Sequence, residues 1–212
     1  MYRPLLVLVS GSPGSGKTTF SSALSSAIGL PLVSRDKLRE GLVATRDGGR
    51  PSTDAPPPNG TAATPLGPRV AEVILSTIRH LLAADVSLIV EGTWWHGVFE
   101  RELDDILGLC HPVQLYCTAK DPVERTMKRA AAINAWGMTL DEDWLAEHRK
   151  LIERVRSQTL QPLELPAPTL TVDTTADYEP DVETVARFVL DSYAAATGRD
   201  QLPAPRSYII TS

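Results

Sequence analysis

The residues from Gly11 to Thr18 carry the clearest chemical signal in this sequence. They read GSPGSGKT, which fits the pattern G-x-x-x-x-G-K-[ST] of loops that bind phosphate groups. Glycines let the backbone bend closely around an anion and point its N–H groups inward. In such loops the lysine, here Lys17, reaches the β- and γ-phosphates of a nucleotide, and the next hydroxyl, here on Thr18, binds Mg²⁺. The residues expected to hold the nucleotide phosphates are Gly11, Ser12, Pro13, Gly14, Ser15, Gly16, Lys17, Thr18 and Thr19.

Two carboxylates and a pair of tryptophans follow other apolar stretches. Asp36 comes shortly after Val33, and a carboxylate there could take the proton of an alcohol as a general base or simply cap the next helix. Glu91 ends the run SLIVE, and we expect it to hold a Mg²⁺-bound water. It could instead be the base itself or a solvated strand end. Trp94 and Trp95 could stack on a flat acceptor or pack in the core.

Basic side chains supply candidates on the donor side. Arg125 and Arg129 lie four residues apart in a predicted helix, so they share one face. From there a guanidinium could reach a phosphoryl group in transfer, whereas a solvated basic face is the alternative. Thr174 lies in the segment 173–177, where we expect the base of the nucleotide to rest.

These residues can act together only if they lie at one edge of a sheet, and the hydrophobic pattern predicts such a sheet. Five short apolar segments alternate with segments of helical periodicity, which predicts an α/β fold with a five-stranded parallel sheet and helices on both faces. Ligands bind such sheets at the carboxyl ends of the strands. The predicted strands are Leu5–Val9, Leu30–Val33, Val86–Glu91, Val113–Cys117 and Leu170–Asp173. The predicted helices are Thr18–Ile28, Lys37–Val43, Val70–Ala83, Phe99–Leu107, Pro122–Asn134, Trp144–Leu160 and Asp181–Tyr193.

The same pattern predicts one domain over residues 1–196 and a flexible tail over residues 197–212. Residues 44–69 are crowded with Pro, Gly, Thr and Asp, lack periodicity and predict a mobile surface loop. The chain of 212 residues carries a net charge of -5 with only short basic clusters, which argues weakly against a nucleic-acid partner. No apolar run is long enough to span a membrane and no targeting segment is recognised, so we expect a cytoplasmic protein.

Taken together, these segments resemble a known group of enzymes. The sequence is similar to the P-loop small kinases related to the phage polynucleotide 5′-kinase, chloramphenicol phosphotransferase and the zeta-toxin kinases. The similarity rests on GSPGSGKTT (11–19), SRDKLREGL (34–42), LIVEGTW (88–94), DPVERTMKR (121–129) and LTVDTT (170–175). It implies a P-loop NTPase fold with a small helical lid at about residues 121–145 and ATP as the usual donor.

The resemblance also assigns roles to individual residues. It implies that Asp36 is the base for the acceptor, that Arg39, three residues on, is catalytic, and that Arg125 or Arg129 acts from the lid, with Arg129 favoured for the phosphates. Two departures concern the acceptor side. Many relatives have aspartate where this chain has Glu91, and their basic, His-rich lid is replaced here by the apolar and acidic residues 131–144.

Three functions remain open at this level. The first is an ATP- and Mg²⁺-dependent kinase that phosphorylates a hydroxyl of a small molecule, which would bind against Asp36, Arg39, Trp94 and Trp95. The second is a polynucleotide 5′-hydroxyl kinase, for which the acidic net charge is unfavourable. The third is a switch or assembly factor that hydrolyses ATP and phosphorylates nothing. The acceptor, the choice of ATP or GTP and the oligomeric state are not determined by the sequence.

Overall fold

A computed structural model describes residues 3–46, 66–134, 153 and 161–199. The strands are β1 (Leu5–Gly11), β2 (Leu32–Ser34), β3 (Leu88–Glu91), β4 (His111–Thr118) and β5 (Thr169–Asp173). The helices are α1 (Lys17–Ile28), α2 (Arg35–Arg46), α3 (Leu66–Ala83), α4 (Phe99–Leu107), α5 (Pro122–Asn134) and α6 (Val182–Thr197). None of these helices is long and apolar enough to cross a membrane.

All five strands run parallel in one sheet, in the order β2-β3-β1-β4-β5. The first strand is therefore central, and the second lies at one edge. Their register brings the carboxyl ends level, because Glu91 pairs with both Val9 of β1 and Ser34 of β2. The loops that follow β1, β2 and β3 thus leave the sheet side by side.

Helices cover both faces of the sheet, as the sequence predicts. The side chains of β1 alternate between two apolar clusters, and all seven of its residues are buried. Leu6 and Leu8 pack in the cluster that includes α3 and α4, whereas Leu5, Val7 and Val9 pack in the cluster that includes α1 and α6. A strand covered on both faces needs a continuous apolar run, which explains the sequence LLVLV.

A short segment before β5 is fastened to the sheet by Gln114. This side chain is 1% exposed, and its amide donates to the Leu163 carbonyl at 3.0 Å while its carbonyl accepts from the Leu163 N–H at 3.0 Å. The amide also donates to Thr169 Oγ1 at 3.1 Å. The buried amide is therefore satisfied by the chain that leads into the edge strand.

The boundaries of two helices correct the predicted loop at 44–69. α2 begins at Arg35, directly after β2, and continues to Arg46, while α3 already begins at Leu66. Pro68 is compatible with this start because proline is tolerated in the first turn of a helix. Several predicted segments lie outside the described residues. They are residues 47–65 of the loop, residues 135–145 of the predicted lid, the predicted helix Trp144–Leu160 apart from residue 153, and the tail beyond residue 199.

Candidate nucleotide and acceptor site

The predicted phosphate loop joins β1 to α1 and takes the conformation that its glycines allow. Gly14 and Gly16 have φ values of 80° and 74°, in the left-handed region that favours glycine. Gly16 has a second constraint, because a Cβ atom there would lie 2.7 Å from Thr174 Oγ1. No side chain caps the start of α1 at Gly16, so the first N–H groups of the helix are available to an anion.

The reactive side chains of this loop meet the end of β3. Lys17 is 5% exposed, and its Nζ donates across the loop to the Ser12 carbonyl at 3.5 Å. Thr18 Oγ1 donates to Glu91 Oε1 at 3.1 Å. Glu91 is fully buried, and its Oε2 has no hydrogen-bond partner among the described residues. A hydroxyl and a buried carboxylate with a spare oxygen are the donor set that Mg²⁺ prefers, so these two residues fit the metal.

Thr174 connects the phosphate loop to β4 and to α5. Its hydroxyl donates to the Ser15 carbonyl at 2.7 Å, and the Thr118 carbonyl shares the same hydrogen at 3.1 Å. Arg125 Nη1 donates to the hydroxyl oxygen of Thr174 at 3.3 Å, while Nη2 donates to the Thr174 carbonyl at 2.9 Å and the Thr175 carbonyl at 2.7 Å. The arrangement holds the loop after β5 against both the phosphate loop and α5.

An open cavity of about 560 Å³ lies beside this junction. Its lining residues are Gly16, Thr19, Arg125, Thr174, Ala176, Asp177, Tyr178, Asp181 and Val182. The cavity adjoins the phosphate loop at Gly16 and Thr19, so it has the position and size to receive the rest of a nucleotide. The base was expected near residues 173–177. The cavity extends further, to Tyr178, whose ring packs edge-on against that of Phe20 with 5.2 Å between the centroids.

Asp36 lies on the opposite side of the phosphate loop, in the first turn of α2. Ser34 takes the capping position there, because its Oγ accepts from the Lys37 N–H at 3.4 Å. Among the described residues, the half-buried Asp36 carboxylate accepts no hydrogen bond, so it does not perform the capping role that was its alternative. The carboxylate therefore remains available to a ligand at this edge of the sheet.

Two arginines flank Asp36 on one face of α2. Arg35 is 7% exposed and Arg39 is 3% exposed. The aliphatic part of Arg35 lies against Gly92, where a Cβ atom would be 3.1 Å from Arg35 Cβ and 3.2 Å from its Cδ. Burial lowers the pKa of the Arg35 guanidinium, while the charges of Asp36, Glu102 and Glu91 act in the opposite direction. Arg39 was expected at this site, whereas Arg35 was not, although the spacing of four residues could have indicated it.

The structure describes the side chains of the tryptophan pair but not that of Arg129. Trp94 and Trp95 are 2% and 6% exposed and belong to the apolar cluster under α3 and α4. Trp94 packs edge-on against Phe99 with ring centroids 5.0 Å apart. Core packing is thus what the structure shows for the pair, and neither ring presents an open face for stacking on an acceptor. Arg129 lies in α5, but its side chain is outside the described residues.

Comparisons with known proteins agree with this geometry. A glycine loop between the central strand and its helix, on a five-stranded parallel sheet with helices on both faces, defines the class of the P-loop NTPases. Residues 6–134 match the family model AAA_33, described as an AAA domain, and the chain belongs to this family. No curated protein matches the sequence.

Three solved structures support the fold over most of the chain. A "putative kinase" from Chloroflexus aurantiacus is 25% identical, with a TM-score of 0.69 and coverage of 93% of this chain and 100% of that one. The protein APE1195 is 17% identical, with a TM-score of 0.56 and coverage of 89% and 96%. A sugar kinase from Janibacter sp. HTCC2649 is 18% identical, with a TM-score of 0.52 and coverage of 93% and 98%.

Proposed function

We propose that this protein transfers the γ-phosphoryl group of ATP to a hydroxyl group of a small-molecule acceptor. The observation that carries the proposal is the register of the sheet. It brings Glu91 level with Ser34, so the Thr18–Glu91 pair and the carboxylate of Asp36 leave neighbouring strands at one edge. A donor site and a candidate base on the same edge are what phosphoryl transfer to an alcohol requires. The 25% identity to a protein named as a "putative kinase" over 93% of this chain supports the same reaction class.

The donor side consists of the phosphate loop and the cavity beside it. The N–H groups of the loop and the start of α1 would hold the β- and γ-phosphates, and Lys17 would neutralise their charge. Thr18 and Glu91 would hold Mg²⁺, which when bound polarises the phosphoryl oxygens and neutralises charge in transfer. Glu91 would serve the metal rather than proton transfer because its Oε1 already accepts a hydrogen bond from Thr18.

On the acceptor side, Asp36 would take the proton of the attacking hydroxyl. As the acceptor oxygen bonds to the γ-phosphorus, the bond from that phosphorus to the β,γ-bridging oxygen breaks and ADP leaves. Asp36 suits this step because the described residues donate no hydrogen bond to its carboxylate. Arg39 would orient the acceptor beside it, and Arg129 would reach the phosphoryl group from α5. Arg125 would instead hold the cavity wall through Thr174.

The first test is a phosphorylation screen. The protein would be incubated with γ-labelled ATP, Mg²⁺ and a panel of alcohol-bearing metabolites and oligonucleotides, and products would be identified by mass spectrometry. We expect a labelled small molecule. Labelled oligonucleotide, with a yield that falls steeply with salt, would favour a polynucleotide kinase. Release of labelled phosphate without any labelled product would support a nucleotide-hydrolysing switch and contradict the proposal.

The second test changes the base alone. With the acceptor in hand, Asp36→Asn should lower kcat by about 100- to 10,000-fold, the range for loss of a general base, and change the Kd for ATP by less than about twofold. Asp104→Asn, at an exposed position of α4, is the matched control and should keep kcat near the wild-type value. Full activity of Asp36→Asn would show that another group accepts the proton.

A further inference from the structure

Arg35 is a buried cation that the phosphoryl-transfer steps do not use. Its side chain is 7% exposed, and its Nε has no hydrogen-bond partner among the described residues. No described carboxylate forms an ion pair with it, since the ion pairs of these residues join other groups. Asp36, Glu102 and Glu91 attract it only through space. The Nε–H group of Arg35 has therefore lost water without gaining a hydrogen bond from the described residues in return.

The position of Arg35 relates it to the acceptor rather than to the nucleotide. It directly precedes Asp36 at the end of β2, and its stem lies on Gly92, the residue after Glu91. The nucleotide cavity, in contrast, is lined by residues of the phosphate loop, α5 and the segment 174–182. Arg39 lies on the same face of α2 one turn further on. Two buried arginines therefore precede and follow the candidate base along α2.

None of the described charged side chains around Arg35 forms an ion pair with it, which favours the binding of an anion beside its guanidinium. Glu91 accepts from Thr18 and belongs to the metal side of the site. Glu102 lies on the exposed surface of α4, where solvent screens its charge. Asp36 is then the one of these three carboxylates that is neither exposed nor hydrogen-bonded to Thr18. A planar guanidinium binds a carboxylate or a phosphate through two parallel hydrogen bonds, which would satisfy the unpaired Nε.

We propose that Arg35 recognises an anionic group, a carboxylate or a phosphate, on the acceptor whose hydroxyl Asp36 activates. This inference rests on the proposed kinase function and narrows it to hydroxy acids and phosphorylated alcohols. Arg35 is then a specificity-determining residue, because it contacts a part of the acceptor that does not react. Neutral polyols of the same shape would leave the guanidinium unsatisfied and bind weakly.

Binding to Arg35 can be measured without knowing the natural acceptor. The protein would be labelled with ¹⁵N-arginine and saturated with a non-hydrolysable ATP analogue and Mg²⁺, so that the phosphate loop is occupied. The Nε–H signal of Arg35 is the one lost in Arg35→Lys. Inorganic phosphate, glycerate and glycerol are the probes. Phosphate or glycerate should shift this signal saturably and glycerol should not, and the tighter anion identifies the class of acceptor.

Variants separate recognition from folding. Arg35→Met keeps the stem against Gly92 and removes the charge, so it should weaken binding of the preferred anion by about 10- to 100-fold. Arg35→Lys keeps the charge but lacks the two-pronged geometry and should weaken it by about tenfold, which preserves the test if the methionine variant does not fold. Arg101→Met, at an exposed position of α4, is the control and should bind as the wild type does.

The outcomes distinguish this inference from the function on which it rests. An Arg35 signal that responds to no anion, or anion binding that survives Arg35→Met, would overturn the inference. So would phosphorylation of glycerol and other neutral polyols as efficiently as of their acids, although the kinase function would then stand. A different result would be saturable anion binding at Arg35 with no phosphorylated product from any acceptor. That result would support the anion site and contradict the proposed kinase reaction.

Discussion

Thr174 is a single hydroxyl on which the assembly of the donor site depends. It is 3% exposed and hydrogen-bonded to the Ser15 and Thr118 carbonyls and to Arg125. Thr174→Val keeps the shape of the side chain but removes all three bonds. The Thr118 carbonyl still accepts from the Thr174 N–H at 2.8 Å, and Arg125 keeps its two backbone acceptors. The Ser15 carbonyl suffers most, because it loses its 2.7 Å partner inside the protein.

Loss of a hydrogen bond that leaves a buried acceptor without a donor costs about 1–3 kcal/mol. We therefore expect Thr174→Val to lower the free energy of unfolding by about 2 kcal/mol in urea titrations. Because Ser15 belongs to the phosphate loop and Thr174 to the cavity wall, the Kd for ATP should rise by roughly 3- to 10-fold, a cost of about 1 kcal/mol. Isothermal titration calorimetry measures this change.

The matched control is Thr171→Val, the same change at an exposed position of the edge strand β5. It should alter the free energy of unfolding by less than about 0.5 kcal/mol and leave the Kd unchanged. If both variants were equally stable and bound ATP equally well, the hydrogen bonds of Thr174 would not hold the site together, and the reasoning would be refuted.

Two further predictions concern backbone and thiol chemistry. Gly16→Ala should weaken ATP binding at least tenfold, because the new Cβ would collide with Thr174 Oγ1. The control is Gly29→Ala, where the glycine is also left-handed, at φ 68°, but has open space around it; this variant should lose about 1 kcal/mol of stability and bind ATP normally. Equal calorimetric Kd values for the two variants would contradict this prediction. Burial raises the pKa of both the Cys110 and the Cys117 thiol to about 12, so the reactive thiolate is scarce at pH 8. Mass spectrometry should therefore detect no iodoacetamide adduct on the native protein after an hour. Rapid labelling would show that the thiols are accessible.

The local patterns of the sequence were sufficient for much of the fold. α4 and α5 have the boundaries that the sequence predicted, Phe99–Leu107 and Pro122–Asn134. The alternation of strands and helices correctly predicted a parallel sheet covered on both faces. The bounds of α2 and α6 were the least accurate: α2 runs from Arg35 to Arg46 and α6 continues to Thr197, because helical turns beyond the apolar stripe carry no hydrophobic signal.

Residues of the candidate site were likewise predictable only where their role depends on local conformation. The phosphate loop was predictable because its function depends on backbone conformation, and only glycine takes the positive φ angles of Gly14 and Gly16 without strain. The burial of Trp94 and the isolation of Arg35 were not predictable, because they depend on which helices cover the ends of β2 and β3. Their exposure is set by residues far away in the chain.

The sequence by itself determined the donor half of this protein: a strand, a glycine loop, Lys17, Thr18 and a helix, all within one short segment whose conformation is local. Only the tertiary structure decided the acceptor half. It placed β3 between β1 and β2, so that Glu91 faces Thr18 while Arg35 and Asp36 lie beside it. The physical reason is that strand order and side-chain burial arise from packing between distant segments, which local preferences do not encode.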